Sequence, residues 1–117
     1  MNLKTLTGQV EYILSTNIES RNSDITLTVE LWRHFYPKSV HHKNEYDLGT
    51  YSIIDDFVFL RDLYNLPHQD NIKRIRAAFQ NDALKYLPTD QKIAQARGIN
   101  EVEWREHLDD VRTLHRV

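Results

Sequence analysis

The sequence predicts a small all-α domain with a helix-turn-helix core, winged by a short β-hairpin. Three observations lead there. Glycine and proline number only three each in 117 residues, too few for the frequent turns of a sandwich or barrel. Apolar residues recur at helical spacing through most of the chain. Two amphipathic stretches, 53–65 and 68–80, are separated only by Leu66-Pro67, the outline of two helices joined by a tight turn. One domain over 1–117 accommodates the pattern, with the helix-turn-helix-like unit at about 52–80 and C-terminal helices at about 89–115. A hydrophobic content of 40% with two Trp, six Tyr and four Phe is enough to bury a core without staples.

The elements follow in order. Over 6–18, Leu6, Val10, Ile13, Leu14 and Ile18 share a helical face, and Gly8 weakens the first turn. Arg21-Asn22-Ser23-Asp24 interrupts the period with N-cap residues. Ser23 or Asp24 then opens a helix to about Tyr36, with Ile25, Val29, Trp32 and Phe35 on one face and Leu31 beside them. Pro37 ends it by disfavouring helical geometry in the preceding residue. Residues 38–50 are polar and aperiodic and read as an exposed loop, with a short strand near 46–48. Ser52 and Asp55 match the S-x-x-D capping box, which predicts a helix over 53–65. The next helix starts near His68 or Gln69 and buries Ile72, Ile75, Ala78 and Phe79. Lys73, Arg74, Arg76 and Gln80 then face away from that buried side. Residues 81–88 connect, with Leu84, Tyr86 and Leu87 able to pack or to form the wing. Thr89 or Asp90 caps a short helix through Arg97, and Gly98 sits where a C′ glycine belongs. Asn100 and Glu103 form a second capping box, opening a helix over 101–114 with Trp104, Leu108 and Val111 on one side.

Composition bounds the chemistry. The chain has no cysteine, which excludes a disulfide framework, thiol catalysis and Cys-based zinc sites. No apolar run approaches the ~20 residues that span a bilayer. Residues 1–10 hold one Lys and no apolar core, so no secretory signal is expected. The net charge of −2 argues against indiscriminate binding to nucleic acid, but it is unevenly spread. Residues 1–67 carry −3, residues 68–97 carry +3 and residues 98–117 carry −2.

The basic stretch supplies the candidate site. A recognition helix projects side chains into the major groove while a preceding helix braces it. Arg pairs with guanine and Asn with adenine in bidentate geometry, and Lys or Arg neutralises phosphates. On this reading Gln69, Asn71, Lys73, Arg74, Arg76 and Gln80 contact double-stranded DNA, and Lys85, Lys92 and Arg97 hold phosphates. Loss of Arg76 is then expected to weaken DNA binding by about 1–3 kcal/mol if it reads a base. Readers of this kind pair across two half-sites, so a homodimer is expected with them. The bland alternative is an αα-hairpin with a solvated basic face.

Other constellations are weaker. His41, His42 and Glu45 lack the spacing of a chelating motif, because adjacent His on a strand point to opposite faces. Asp55 and Asp109 read as a helix cap and a solvated face. No nucleophile elbow and no Gly-rich phosphate loop is present. No catalytic residue, metal ligand or cofactor is therefore assigned. Trp32, Trp104, Phe35, Phe57 and Phe79 read as core.

Several stretches carry a resemblance: residues 20–24 with Trp32 downstream, 60–67, 71–76 with Gln80-Asn81, 87–90, and 97–100 with Trp104-Arg105. In these the chain resembles small uncharacterised proteins encoded in phages and prophages of Gram-positive bacteria. The resemblance spans residues 20–105 and implies a phage or prophage origin and a place in the host cytoplasm. It implies no catalytic residues. Two functions fit. The first is a non-enzymatic DNA-binding accessory or regulatory protein that uses helix 68–80. The second is a module that binds and inhibits a host enzyme or defence complex, with Glu101, Glu103, Glu106, Asp109 and Asp110 as clustered charges. A metal-dependent nuclease is a third and lesser option.

Overall fold

A computed structural model of the chain describes residues 1–42, 50–53 and 56–108. Among these residues six helices dominate: α1 (Leu6–Thr16), α2 (Asp24–Phe35), α3 (Leu60–Leu63), α4 (Gln69–Ala77), α5 (Gln91–Ala96) and α6 (Glu101–Glu106). A 3-10 turn, Ile18–Arg21, links the first two. The expected helical character holds. Beside the helices lies a small antiparallel sheet in the order β1-β3-β2, made of β1 (His41–His42), β2 (Thr50–Ile53) and β3 (Asp56–Phe59).

Local chemistry explains the helix ends. Thr5 accepts from the Gly8 amide and Ser23 from the Thr26 amide, each side chain satisfying an otherwise orphaned N–H. The His68 imidazole Nδ1 accepts from the Asp70 amide and caps α4. Asp90 caps α5 and Asn100 caps α6, each accepting from two backbone amides. α5 ends as the glycine predicts. Gly98 has φ +75, its N–H donates to Gln95 O, and the Ile99 N–H donates to Ala94 O, which is the Schellman pattern. Gly8 has a different role, since a Cβ there would stand 1.7 Å from the carbonyl oxygen of Asn2. Its helix-weakening hydrogen is what lets the N-terminal residues fold back over α1.

The apolar residues separate into two clusters. The larger one packs α1, α2 and α4 against one another around Val10, Leu14, Leu27, Leu31, Trp32 and Ile72, and Val58 of β3 anchors the sheet to it. The smaller one gathers Leu87, Ala94, Ile99 and Trp104 between α5 and α6. Both tryptophans are core, as expected, and both indole N–H groups are satisfied. Trp32 Nε1 donates to Pro67 O at 3.0 Å and Trp104 Nε1 to Pro88 O at 2.6 Å. No helix among the described residues is long and apolar enough to cross a membrane.

Several expectations need correction. The helix over 53–65 is replaced by β2, β3 and the single turn α3. Ile53 pairs with Asp56 and Ser52 with Phe57 across β2 and β3. The run Ile53-Ile54 and Phe57-Val58-Phe59 is β-branched and aromatic, and strand pairing wins over a capping signature of two residues. A four-residue helix is too short to brace a recognition helix, so the helix-turn-helix unit at 52–80 is not formed as expected. The hairpin thus precedes α4. Residues 83–88 form no wing but pack, with Leu84 and Tyr86 at positive φ (52 and 53). On α2 the buried face is Leu27, Thr28, Val29, Leu31 and Trp32, whereas Ile25 is 60% exposed. The last helix, expected over 101–114, ends at Glu106 with His107 as its C-cap, and its expected stretch 109–114 lies outside the described residues. The strand near 46–48 and residue Val111 lie outside the described residues.

Candidate functional site

α4 carries the sequence-assigned site residues on two opposite sides. Asn71, Lys73 and Arg74 are exposed, as expected. Among the described residues neither Lys73 nor Arg74 has an ion pair. Gln69 is half-buried and lines a small apolar cleft with Trp32, Leu63 and Pro67.

Arg76 and Gln80 do not face solvent. Arg76 is 4% exposed and Gln80 is fully buried. The reason lies in the helical period, since Ile72, Arg76 and Gln80 are four residues apart and share one side. α4 then widens into a π turn, Ala78–Asp82, closed by the Ala83 N–H donating to Ala78 O. The wider turn under-rotates the chain and keeps Gln80 in line with Ile72. Ala78, expected in the core, is exposed instead.

What holds these buried polar groups is a network drawn from elements along most of the chain. Arg76 Nε donates to Asp24 Oδ1 at 3.0 Å and its Nη2 to Asp24 Oδ2 at 3.3 Å, a two-point guanidinium–carboxylate pair. Arg76 Nη1 reaches Gln80 Oε1 at 3.4 Å. The Gln80 amide donates from Nε2 to Arg21 O at 3.1 Å and to Tyr86 O at 2.8 Å. Arg97 Nη1 donates to Arg21 O and, at 2.9 Å, to Gln80 Oε1. Arg21 is itself 1% exposed, with Nε donating to Leu14 O at 2.8 Å and its guanidinium 5.4 Å from the Tyr86 ring centre. Tyr86 donates its hydroxyl proton to Glu11 Oε2 at 2.8 Å. These contacts over-determine the strained backbone at Tyr86. Asn22 closes the far side: its Oδ1 accepts from the amides of Thr89 and Asp90, and its Nδ2 donates to Thr89 Oγ1.

The network opens on one side into a cleft of about 430 Å³, lined by Asp24, Lys73, Arg76, Asn81 and Arg97 with Ala77 and Ala96 as its walls. The Arg97 guanidinium has its pKa lowered, first by burial and next by the neighbouring Arg76 charge, with Asp24 partly opposing both. Of the nine assigned residues, the structure therefore gathers Lys73, Arg76 and Arg97 around this cleft, with Gln80 bonded to both arginines behind it. Lys85 lines a separate cleft with Leu84, Tyr86 and His107, and Lys92 is exposed near the start of α5. Sequence reasoning misses Asp24 and Arg21 as members, because their pattern marks only a break between helices. The inward side shared by Ile72, Arg76 and Gln80 is readable from their spacing.

Among the described residues no group of three or more His, Asp or Glu is placed to hold a metal, and Glu45 lies outside them. Compared with protein-family models, curated proteins and solved structures, the chain finds no match.

Proposed function

We propose that this chain is a non-enzymatic accessory or regulatory protein of a phage or prophage that binds double-stranded DNA in the host cytoplasm. It holds the duplex mainly by its phosphates, through the solvent edge of α4. One observation carries the reading: Lys73 and Arg74 stand exposed, with no ion pair among the described residues, beside a cleft that adds Arg97. Cations of this kind release counterions when they meet a phosphate backbone, and that release drives association. Asn71 is the exposed side chain left for a base edge. Arg76 and Gln80 are committed to the interior and contact no base in this reading. A homodimer would set two copies of α4 on successive half-sites.

The test is fluorescence anisotropy with a random duplex, titrated from ~50 to ~200 mM salt, where phosphate binding weakens steeply. The expected result is measurable affinity with a steep salt slope, lost when Lys73 and Arg74 are both neutralised. No binding even at ~50 mM salt overturns the reading, because the electrostatic footing is then missing.

A second reading has its own observation. α6 exposes Glu101, Glu103 and Glu106 with Val102, which is 63% exposed. Such a face suits a protein module that occupies a host enzyme or defence complex. Capture of one host protein from nuclease-treated lysate, abolished by Glu103→Lys together with Glu106→Lys, supports this reading over the first.

A further inference from the structure

The cleft beside Asp24 is electrostatically unbalanced. Three cations, Lys73, Arg76 and Arg97, line it against one carboxylate. Arg76 takes both oxygens of that carboxylate. Arg97 reaches it only through Nη2, at 3.9 Å, beyond hydrogen-bond distance. The other terminal nitrogen of Arg97 is spent on Arg21 O and Gln80 Oε1. Arg97 therefore keeps one nitrogen turned to the Asp24 side with no close acceptor. The Lys73 ammonium has no partner among the described residues. Small side chains at Ala77 and Ala96 leave the space between these groups unfilled.

We propose that this cleft is a binding site for a phosphoryl group, held between Arg97 Nη2 and Lys73 with Arg76 and Asp24 fixing the floor. The chemistry fits in three ways. A phosphate monoester carries nearly the two negative charges that the cleft lacks. A guanidinium offers paired N–H donors that match phosphate oxygens, while an ammonium adds a point charge. The guanidinium needs little reorganisation, because Gln80 and Arg21 O already hold it in place. Bound anion also relieves the repulsion between Arg97 and Arg76. The site shares Lys73 and Arg97 with the duplex reading but does not depend on it, since a free phosphate monoester offers the same phosphoryl oxygens as a backbone phosphate.

The experiment is an NMR titration of the full chain with inorganic phosphate, against chloride at constant ionic strength. Saturable shifts of the Arg97 side-chain Nε–H and of the backbone around Lys73 and Asn81 are expected. Lys73→Gln should weaken phosphate by ~10-fold, the scale of one charge-assisted hydrogen bond, with the melting temperature unchanged. Because Lys73 is exposed, that variant keeps the test free of any folding defect. Arg97→Lys, which retains charge and loses the fork, should weaken binding as well. No saturable shift, or an affinity indifferent to Lys73→Gln, overturns the proposal. Labelled duplex in the same buffer separates the sources. Displacement of the duplex by phosphate beyond the chloride control identifies a backbone phosphate as the natural occupant. Phosphate binding without any duplex binding identifies a free monoester and removes the DNA reading. Duplex binding without phosphate binding leaves the DNA reading standing and removes this site.

Discussion

Arg74 and Arg76 lie two residues apart on α4 and meet opposite environments. The helix turns about 100° per residue, so the two side chains leave it on nearly opposite sides. Arg74 ends in water with no partner among the described residues. Arg76 ends on Asp24, 52 residues away in sequence, inside a lattice of hydrogen bonds. The same side chain is an available charge in one place and a structural strut in the other. Burial decides which, because a guanidinium withdrawn from water must be paired and hydrogen-bonded to remain there. A charge census of residues 68–97 counts both alike and so overstates the cations that a ligand can meet.

The sharpest way to break this comparison is to remove each arginine in turn. Arg76→Ala should cost about 3 kcal/mol in urea unfolding, because it strands the Asp24 carboxylate that Arg76 holds at two points. Arg74→Ala should stay within about 0.5 kcal/mol of the parent. Equal costs would mean that the two sides of α4 are not distinct. Replacing Arg76 and Asp24 together by Met and Leu should cost less than Arg76→Ala alone, since no charge is then left unpaired.

The next largest effect belongs to Gln80→Leu, which keeps the volume and deletes the amide. Its loss orphans Arg76 Nη1 and the carbonyl of Tyr86, while Arg97 Nη1 and Arg21 O keep each other, for about 2 kcal/mol by thermal or chemical unfolding. Thr28 sharpens the contrast from the other direction. Its Oγ1 is buried without a hydrogen-bond partner among the described residues, so Thr28→Val should be neutral or should raise stability by up to about 1 kcal/mol. A marked loss there would show that Thr28 has a partner after all. Smallest in stability is the pair Lys73→Gln and Arg74→Gln. It should leave the unfolding midpoint unchanged while the salt slope of duplex binding falls by about two, one for each phosphate that the variant no longer neutralises.

These contrasts also show which features are readable from sequence. Caps are local, so Ser23, Asp90, Asn100 and Gly98 announce their helix ends without any knowledge of the fold. The segment 52–59 is harder, because its Ser-x-x-Asp pattern and its β-branched, aromatic composition point to different structures. Only pairing across the sheet, with Ile53 opposite Asp56, resolves them. The site is legible in half. Lys73 and Arg74 fall on the outward side by period alone. The same period places Arg76 and Gln80 behind Ile72, and their polarity argues against it. Asp24 and Arg21 reach Arg76 or Arg97 from remote points in the chain, and no spacing rule predicts such partners.

The two tryptophans have a practical consequence. Each sits in a different apolar cluster, and each indole is tied to a proline carbonyl just before a helix begins, Pro67 ahead of α4 and Pro88 ahead of α5. The molecule thus carries one intrinsic fluorophore per cluster, each quenched or shifted by its own surroundings. A Trp104→Phe variant reports on the larger cluster alone and a Trp32→Phe variant on the smaller alone. Overlaying their emission curves through a denaturation reveals whether the α5–α6 end melts with the rest or lets go first.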